Sequence, residues 1–105
     1  MLNLPESIME RIISILSKER NVEKVILFGS RARGDARSNS DIDLALIGDN
    51  IPLSLHTKLR DNVGLYSLDI VRMNELDDEL LLESINKDGI LLYSRDEAAA
   101  LAPHG

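Results

Sequence analysis

Two aspartates on a predicted strand are the side chains best suited to chemistry. Asp41 and Asp43 flank a single apolar residue in a stretch, residues 41–47, where apolar side chains recur at every second position. Side chains alternate along a strand, so both carboxylates are expected on one face, with Cα atoms roughly 6.5–7 Å apart. Unpaired, they would repel each other until one took up a proton. A divalent cation removes that conflict, and Mg²⁺ prefers a few carboxylates together with phosphate oxygens and water. The spacing therefore predicts a magnesium site; a solvated strand face is the alternative for such a pair alone.

A third acid lies in another predicted strand. Asp69 stands between Leu68 and Ile70 in an apolar run over residues 68–73. Burying a carboxylate there without a partner would cost on the order of several kcal/mol. We therefore expect Asp69 to lie beside Asp41 and Asp43 on a neighbouring strand and to share their metal. The alternative is an edge strand on which Asp69 faces water.

A glycine–serine turn and an arginine-rich loop offer groups that bind phosphate. Gly29 and Ser30 directly follow the apolar run 25–28. Backbone N–H groups at a strand-to-helix turn can cradle a phosphate that glycine allows to come close, and the Ser30 hydroxyl can donate one more hydrogen bond. Arg31, Arg33 and Arg37 follow in the same loop, and any of them could meet triphosphate oxygens. Arg33 is the favoured nucleotide ligand; solvated side chains or ion pairs with nearby acids are the alternative for all three.

These residues need a scaffold of alternating helices and strands. Apolar spacing and the placement of Pro, Gly and Asn predict an α/β (α+β) domain with a small sheet. Asn74 is expected to cap the last helix, and Gly64 to end the preceding one in a left-handed conformation. The predicted order is helix 5–18, strand 25–28, a loop 30–39 that begins with a turn of helix, strand 41–47, helix 52–62, strand 68–73, helix 74–87 and a short strand 90–93.

Composition narrows the class of function. The chain has 105 residues, 44% of them hydrophobic but only 3% aromatic, no cysteine, and a formal charge of −6. The acidic balance and scarce aromatics argue against direct nucleic-acid binding. Charged residues interrupt the N-terminal apolar stretch, so we expect neither a signal peptide nor a membrane segment, and a cytoplasmic protein. A single domain is expected over residues 1–96, followed by a disordered tail at 97–105.

The motif as a whole resembles a known signature. Gly29-Ser30, ten intervening residues and Asp41-Ile42-Asp43 closely resemble the motif of the polymerase β-like nucleotidyltransferase superfamily, and most of all its minimal nucleotidyltransferase (MNT) proteins. Either half alone would be weak, but joined at this spacing, with a later strand aspartate, they are specific. The resemblance is strong from about residue 25 to residue 69. It implies the nucleotidyltransferase fold, a small mixed β-sheet flanked by about three helices.

The resemblance also implies a reaction that uses two Mg²⁺ ions and ATP. Asp41 and Asp43 would hold the ion on the nucleotide phosphates, and Asp43 with Asp69 the ion that activates the acceptor hydroxyl. Asp69 could also take the acceptor proton. Gly29 and Ser30 would hold the β- and γ-phosphates. The acceptor attacks the α-phosphorus and pyrophosphate leaves.

The resemblance further points to a partner, and three functions remain open. MNT proteins usually accompany a helical HEPN-domain protein in a toxin–antitoxin pair, which implies an antitoxin that adenylylates a tyrosine of its toxin. The first alternative is an antitoxin that neutralises its partner by occlusion, without catalysis. The second is a nucleotidyltransferase for a small molecule, against which the lack of an acceptor-binding domain in the chain argues. Polymerisation on nucleic acid is the least favoured.

Overall fold

A computed structural model describes residues 4–37 and 39–95. The predicted tail therefore lies outside the described residues. Within them the order of elements is α1 (Glu6–Ser17), β1 (Val22–Phe28), α2 (Ser30–Arg33), β2 (Ile42–Gly48), α3 (Ser54–Asp61), β3 (Leu68–Arg72), α4 (Glu79–Asp88) and β4 (Ile90–Ser94), with a short 3₁₀ turn at Met73–Glu75. The α/β class with a small mixed sheet is confirmed. None of the helices in this part of the chain combines the length and apolar character that crossing a membrane requires.

The four strands form one mixed sheet in the order β3-β2-β1-β4. β1 runs antiparallel to both β2 and β4, whereas β2 and β3 are parallel and are connected through α3. Antiparallel neighbours can be joined directly, but parallel neighbours need a crossover, and α3 supplies it. The strands that carry Asp43 and Asp69, β2 and β3, are therefore neighbours that start at the same end of the sheet.

The sheet is covered on both faces. Ile42, Leu44 and Leu46 of β2 are fully buried on one face, where α1 and α3 pack through Ile12, Leu16, Leu55 and Leu59. The other face holds a smaller cluster of Phe28, Ala45 and Ile85, the last contributed by α4. Because β2 is apolar at every position from Leu44 to Leu46, it is buried on both sides there, as expected of a central strand.

β1 begins three residues before its predicted start. Val22 is fully buried, while Glu23 and Lys24 are both exposed, and the pairing with β2 shifts register between Val22 and Lys24. Such a bulge lets two successive side chains face solvent without ending the strand. The apolar pattern alone therefore marked only the second half of this strand.

The predicted cap of the last helix was wrong. Asn74 lies in the 3₁₀ turn, and Asp78 caps α4 by accepting hydrogen bonds from the backbone N–H groups of Leu80 (3.1 Å) and Leu81 (3.2 Å). Met73 and Leu76 pack against the Phe28–Ala45–Ile85 cluster, which keeps the turn separate from the helix. Gly64 does adopt a positive φ of 65°, after α3 has ended at Asp61.

The cap can be tested by its contribution to stability. Asp78→Ala should lower the free energy of unfolding by about 1 kcal/mol, because two N–H groups lose their acceptor. Asn74→Ala is the matched control and should have a smaller effect. Urea unfolding followed by circular dichroism measures both, and a larger loss for Asn74→Ala would contradict the assignment.

Candidate active site

Two aspartates stand side by side on neighbouring strands. Asp43 of β2 pairs with Asp69 of β3 in the parallel ladder, and with Phe28 of β1 in the antiparallel one. Paired residues of adjacent strands point to the same face, and strands lie about 4.8 Å apart. Phe28, Asp43 and Asp69 therefore form one row across the sheet, which we call the carboxylate row. Asp69 is exposed and lies on an edge strand, as the alternative interpretation expected, yet it also lies beside Asp43.

An apolar row borders the carboxylate row. Ala45 stands two residues further along β2, opposite Ile26 of β1 and Val71 of β3. Ile85 of α4 packs over this part of the sheet. Asp69 is exposed and Asp43 is half-buried, so the carboxylates border this apolar surface.

Asp41 precedes β2 and completes the acidic group. Its side chain is exposed, and its charge is among those that raise the pKa of Asp43. The structure thus brings Asp41, Asp43 and Asp69 to one end of two neighbouring strands.

The glycine–serine turn lies against Asp43. Gly29 has φ 76° and ψ −157°, a conformation open essentially to glycine alone. A Cβ atom placed on Gly29 would overlap Oδ2 of Asp43 and lie 3.1 Å from its Cγ. The turn and the carboxylate are thus in direct contact, and α2 begins immediately afterwards at Ser30. The first N–H groups of a helix have no partner within it, which suits phosphate oxygens arriving at this point.

The pKa of Asp43 reflects the charges of the groups around it. The pKa of Asp43 is raised to about 6, chiefly by burial and further by repulsion from Asp69 and then Asp41. The positive charges of Arg33 and Arg31 oppose it. The negative charge of Asp43 is thus costly to hold without a cation.

Arg33 is held in ion pairs. Its Nε lies 3.4 Å from Oδ2 of Asp35, and its Nη1 lies 3.7 Å from Oδ2 of Asp88 at the end of α4. The pair with a loop acid matches the alternative interpretation of this arginine, and the sequence did not indicate Asp88. Both pairs are partly exposed, and such pairs contribute at most about 1 kcal/mol. Arg33 also lies close enough to Asp43 for its positive charge to lower the pKa of that carboxyl.

Arg31 has a different place from its neighbours. Only 3% of it is exposed, and its guanidinium donates to the carbonyl oxygen of Ser40. Nothing in the sequence separated it from Arg33 and Arg37, because all three lie in one polar loop. Burial is decided by the return path of that loop, which local sequence does not specify.

The donor set suits a divalent cation but is not yet a complete metal site. Among residues 4–37 and 39–95, no three His, Cys, Asp or Glu side chains are arranged to hold a metal ion. Two carboxylates per ion would suffice if phosphate oxygens and water filled the remaining positions, as Mg²⁺ commonly accepts. The partly buried, repelled carboxylate of Asp43 next to Asp69 is the kind of group that a hard cation stabilises.

Comparisons with known proteins agree with this geometry. The model of the family "Polymerase beta, Nucleotidyltransferase" matches residues 10–98. A Methanocaldococcus jannaschii protein named "Putative protein adenylyltransferase MJ0604" is 35% identical over 100 residues, which cover 88% of this chain and all of that protein. The chain therefore belongs to this nucleotidyltransferase family.

Solved structures share the fold. A chain of a toxin–antitoxin complex crystallised with AMP-PNP superposes with a TM-score of 0.71 at 23% identity, covering 89% of this chain and 78% of that one. A chain of the complex between the tri-AMPylated Shewanella oneidensis HEPN toxin and its MNT antitoxin gives 0.65 at 20% identity, covering 90% and 76%. The prediction of a nucleotidyltransferase is confirmed.

Repulsion within the carboxylate row should destabilise the metal-free protein. Because the pKa of Asp43 is higher in the folded than in the unfolded protein, stability due to its protonation is present at low pH and is lost as pH rises through about 6. At pH 7.5 in EDTA, Asp43→Asn should raise the free energy of unfolding by on the order of 1 kcal/mol after allowance for solvent screening. Urea titrations at pH 7.5 and 5 measure the gain and its decrease at the lower pH. Asp49→Asn, an exposed acid beyond the opposite end of β2, is the control, and equal effects of the two variants would contradict this account.

The contact between turn and carboxylate predicts a second effect. Gly29→Ala should cost about 1–3 kcal/mol of stability from backbone strain, plus the cost of displacing Asp43. Gly34→Ala is the control, since Gly34 also has a positive φ, 88°, but no atom within 4 Å of an added Cβ. Shortening Asp43 to Ala should reduce the penalty at Gly29 and leave that at Gly34 unchanged. Thermal unfolding of the single and double variants tests this coupling, and additivity at both glycines would refute it.

Proposed function

We propose that this protein transfers AMP from ATP to a tyrosine hydroxyl of a partner HEPN toxin, with Mg²⁺ as cofactor, and so acts as its antitoxin. The observation that supports this most is the carboxylate row: Asp43 stands in register with Asp69 and in contact with the Gly29–Ser30 turn. Acids that hold a cation and a turn that accepts phosphate thus meet at one point.

The three aspartates would bind two Mg²⁺ ions, and the Gly29–Ser30 turn would bind the phosphates of ATP. Asp41 and Asp43 would hold one ion, and Asp43 and Asp69 the other. Mg²⁺ would supply positive charge that stabilises the attacking and leaving oxygens of the transfer. Gly29 and Ser30 would bind the terminal phosphates through backbone N–H groups and the serine hydroxyl, and Arg33 would exchange Asp35 and Asp88 for a phosphate oxygen.

The transfer breaks one phosphorus–oxygen bond and forms another. The acceptor oxygen attacks the α-phosphorus of ATP, the bond from that phosphorus to the bridging oxygen of the β-phosphate breaks, and pyrophosphate leaves with the bonding electrons. Asp69 would take the hydroxyl proton, and its exposure on an edge strand beside Asp43 supports that role. The open edge leaves room for an acceptor from another molecule.

The nature of the acceptor is inferred from relatives. The Methanocaldococcus jannaschii relative is named an adenylyltransferase of proteins, and one structural neighbour is a complex with a tri-AMPylated HEPN toxin. A protein acceptor also suits the exposed position of the acids, since a small molecule would need a pocket around it. ATP as donor is supported by the neighbour crystallised with AMP-PNP.

Radiolabel transfer tests the proposal. The protein is incubated with [α-³²P]ATP, Mg²⁺ and a HEPN-domain protein expressed as the candidate partner. Label should appear on a tyrosine of the partner, require Mg²⁺, and fall at least ~100-fold with Asp43→Asn or Asp69→Asn, because each removes charge from the reacting centre. Asp49→Asn should transfer at the wild-type rate.

Growth of cells that express the partner separates the alternatives. If Asp43→Asn loses both transfer and neutralisation, the antitoxin acts by catalysis. Neutralisation that survives the loss of transfer would instead indicate occlusion. Label on a small molecule, with none on the partner, would replace the protein acceptor.

A further inference from the structure

Arg31 joins the segments that carry the site. Its Nε and Nη2 donate to the backbone oxygen of Ser40, at 3.2 and 2.8 Å, and Nη2 lies 3.5 Å from the backbone oxygen of Arg37. Ser40 in turn donates its N–H to the oxygen of Arg37 (3.0 Å) and accepts from the N–H of Arg37 through its hydroxyl (2.9 Å). The guanidinium therefore binds the end of the loop that leads into β2.

A third segment meets the same side chain. The guanidinium carbon of Arg31 lies 5.0 Å from the centre of the Tyr66 ring, within the range of a cation–π contact. Tyr66 precedes β3, and the next residue, Ser67, accepts a hydrogen bond from the N–H of Ile42 at 2.8 Å. The arginine thus also contacts the segment that starts β3.

Arg31 and its contacts with Ser40 and Tyr66 thereby link the three parts of the site. Arg31 directly follows Ser30, its acceptor Ser40 directly precedes Asp41, and Tyr66 stands three residues before Asp69. A guanidinium can do this because its donors form a rigid fork and its face stacks on a ring. Lysine offers neither the fork nor the flat face.

We propose that Arg31 is a positioning residue for the nucleotidyl transfer. It holds the phosphate-binding turn, Asp41 and the start of β3 in fixed relation, acting through the backbone of Ser40 and the ring of Tyr66 without touching substrate. The inference rests on the proposed function and adds to it a residue outside the Gly-Ser and Asp-x-Asp motif.

Two substitutions, with matched controls, test this role. Arg31→Lys keeps the charge and removes the fork, and Arg31→Met removes both. Arg20→Lys and Arg20→Met are the controls, because Arg20 is exposed in the loop before β1, at the opposite end of that strand from the site.

Two measurements that do not depend on catalysis test the role of Arg31. Mn²⁺ alone is titrated calorimetrically, and amide hydrogen exchange is measured at Ser40 and Ile42 in EDTA. Arg31→Lys should weaken Mn²⁺ binding by about tenfold and speed exchange at both amides, while Arg20→Lys changes neither. With ATP and the partner, kcat should fall by more than tenfold in Arg31→Lys, with a smaller rise in KM for ATP.

The outcomes separate this inference from the proposed function. If the wild-type protein transfers no label, the proposed function is wrong. The Mn²⁺ affinity and the amide hydrogen exchange of the variants still test the positioning role of Arg31 in that case. Arg31→Lys with wild-type Mn²⁺ affinity, exchange and kcat overturns the positioning role, even if its melting temperature falls.

A second pair of variants covers the case in which the Arg31 variants do not fold. Tyr66→Phe keeps the ring face, and Tyr66→Leu removes it while preserving an apolar side chain. The positioning role predicts weaker Mn²⁺ binding in Tyr66→Leu, by two- to fivefold, and wild-type binding in Tyr66→Phe. Equal affinities in both would overturn it.

Discussion

The repulsion around Asp43 is the constraint on which the rest of the site depends. This carboxylate is partly buried, stands beside Asp69, lies near Asp41 and touches the backbone at Gly29. Burial and like charge both disfavour its ionised form, and they raise its pKa to about 6. A fold stabilised for its own sake would not keep this arrangement, since an uncharged side chain would relieve it. This repulsion supports the proposed binding of a cation and phosphates beside Asp43.

The core makes that arrangement unavoidable. Ile42, Leu44 and Leu46 are fully buried against α1 and α3. A slip of β2 by one residue would move these side chains to the smaller cluster under α4 and bring Asp43 into the apolar layer against α1 and α3, which the hydrophobic effect strongly opposes. Packing on one face thus fixes the register that aligns Asp43 with Asp69 on the other. The stability of the core is, in this sense, what holds the like charges together.

Arg31 and Arg33 of α2 have different roles. Arg31 is buried and binds backbone oxygens, so its charge organises the polypeptide around the acids. Arg33 is partly exposed and binds only carboxylates among the contacts seen here, so its partners can be exchanged. The positive charges of both arginines oppose the rise in the pKa of Asp43. Arg31 does so as part of the framework of the site, and Arg33 as a side chain whose partners can be exchanged for a ligand.

The sequence alone determined the order of elements and the identity of the acids. The period of two over residues 41–47 predicted that Asp41 and Asp43 share one face, and the Gly29–Ser30 turn at the end of an apolar strand was recognisable because its signals are local. The tertiary structure decided what depends on distant packing. The order of the strands placed Asp69 beside Asp43. The path of the loop back to the sheet buried Arg31 and left Arg33 exposed. Because Met73 and Leu76 pack against the smaller cluster, α4 is capped by Asp78 and not by Asn74. Each of these outcomes is set by residues far apart in the chain, whose contacts exist only once the core has formed.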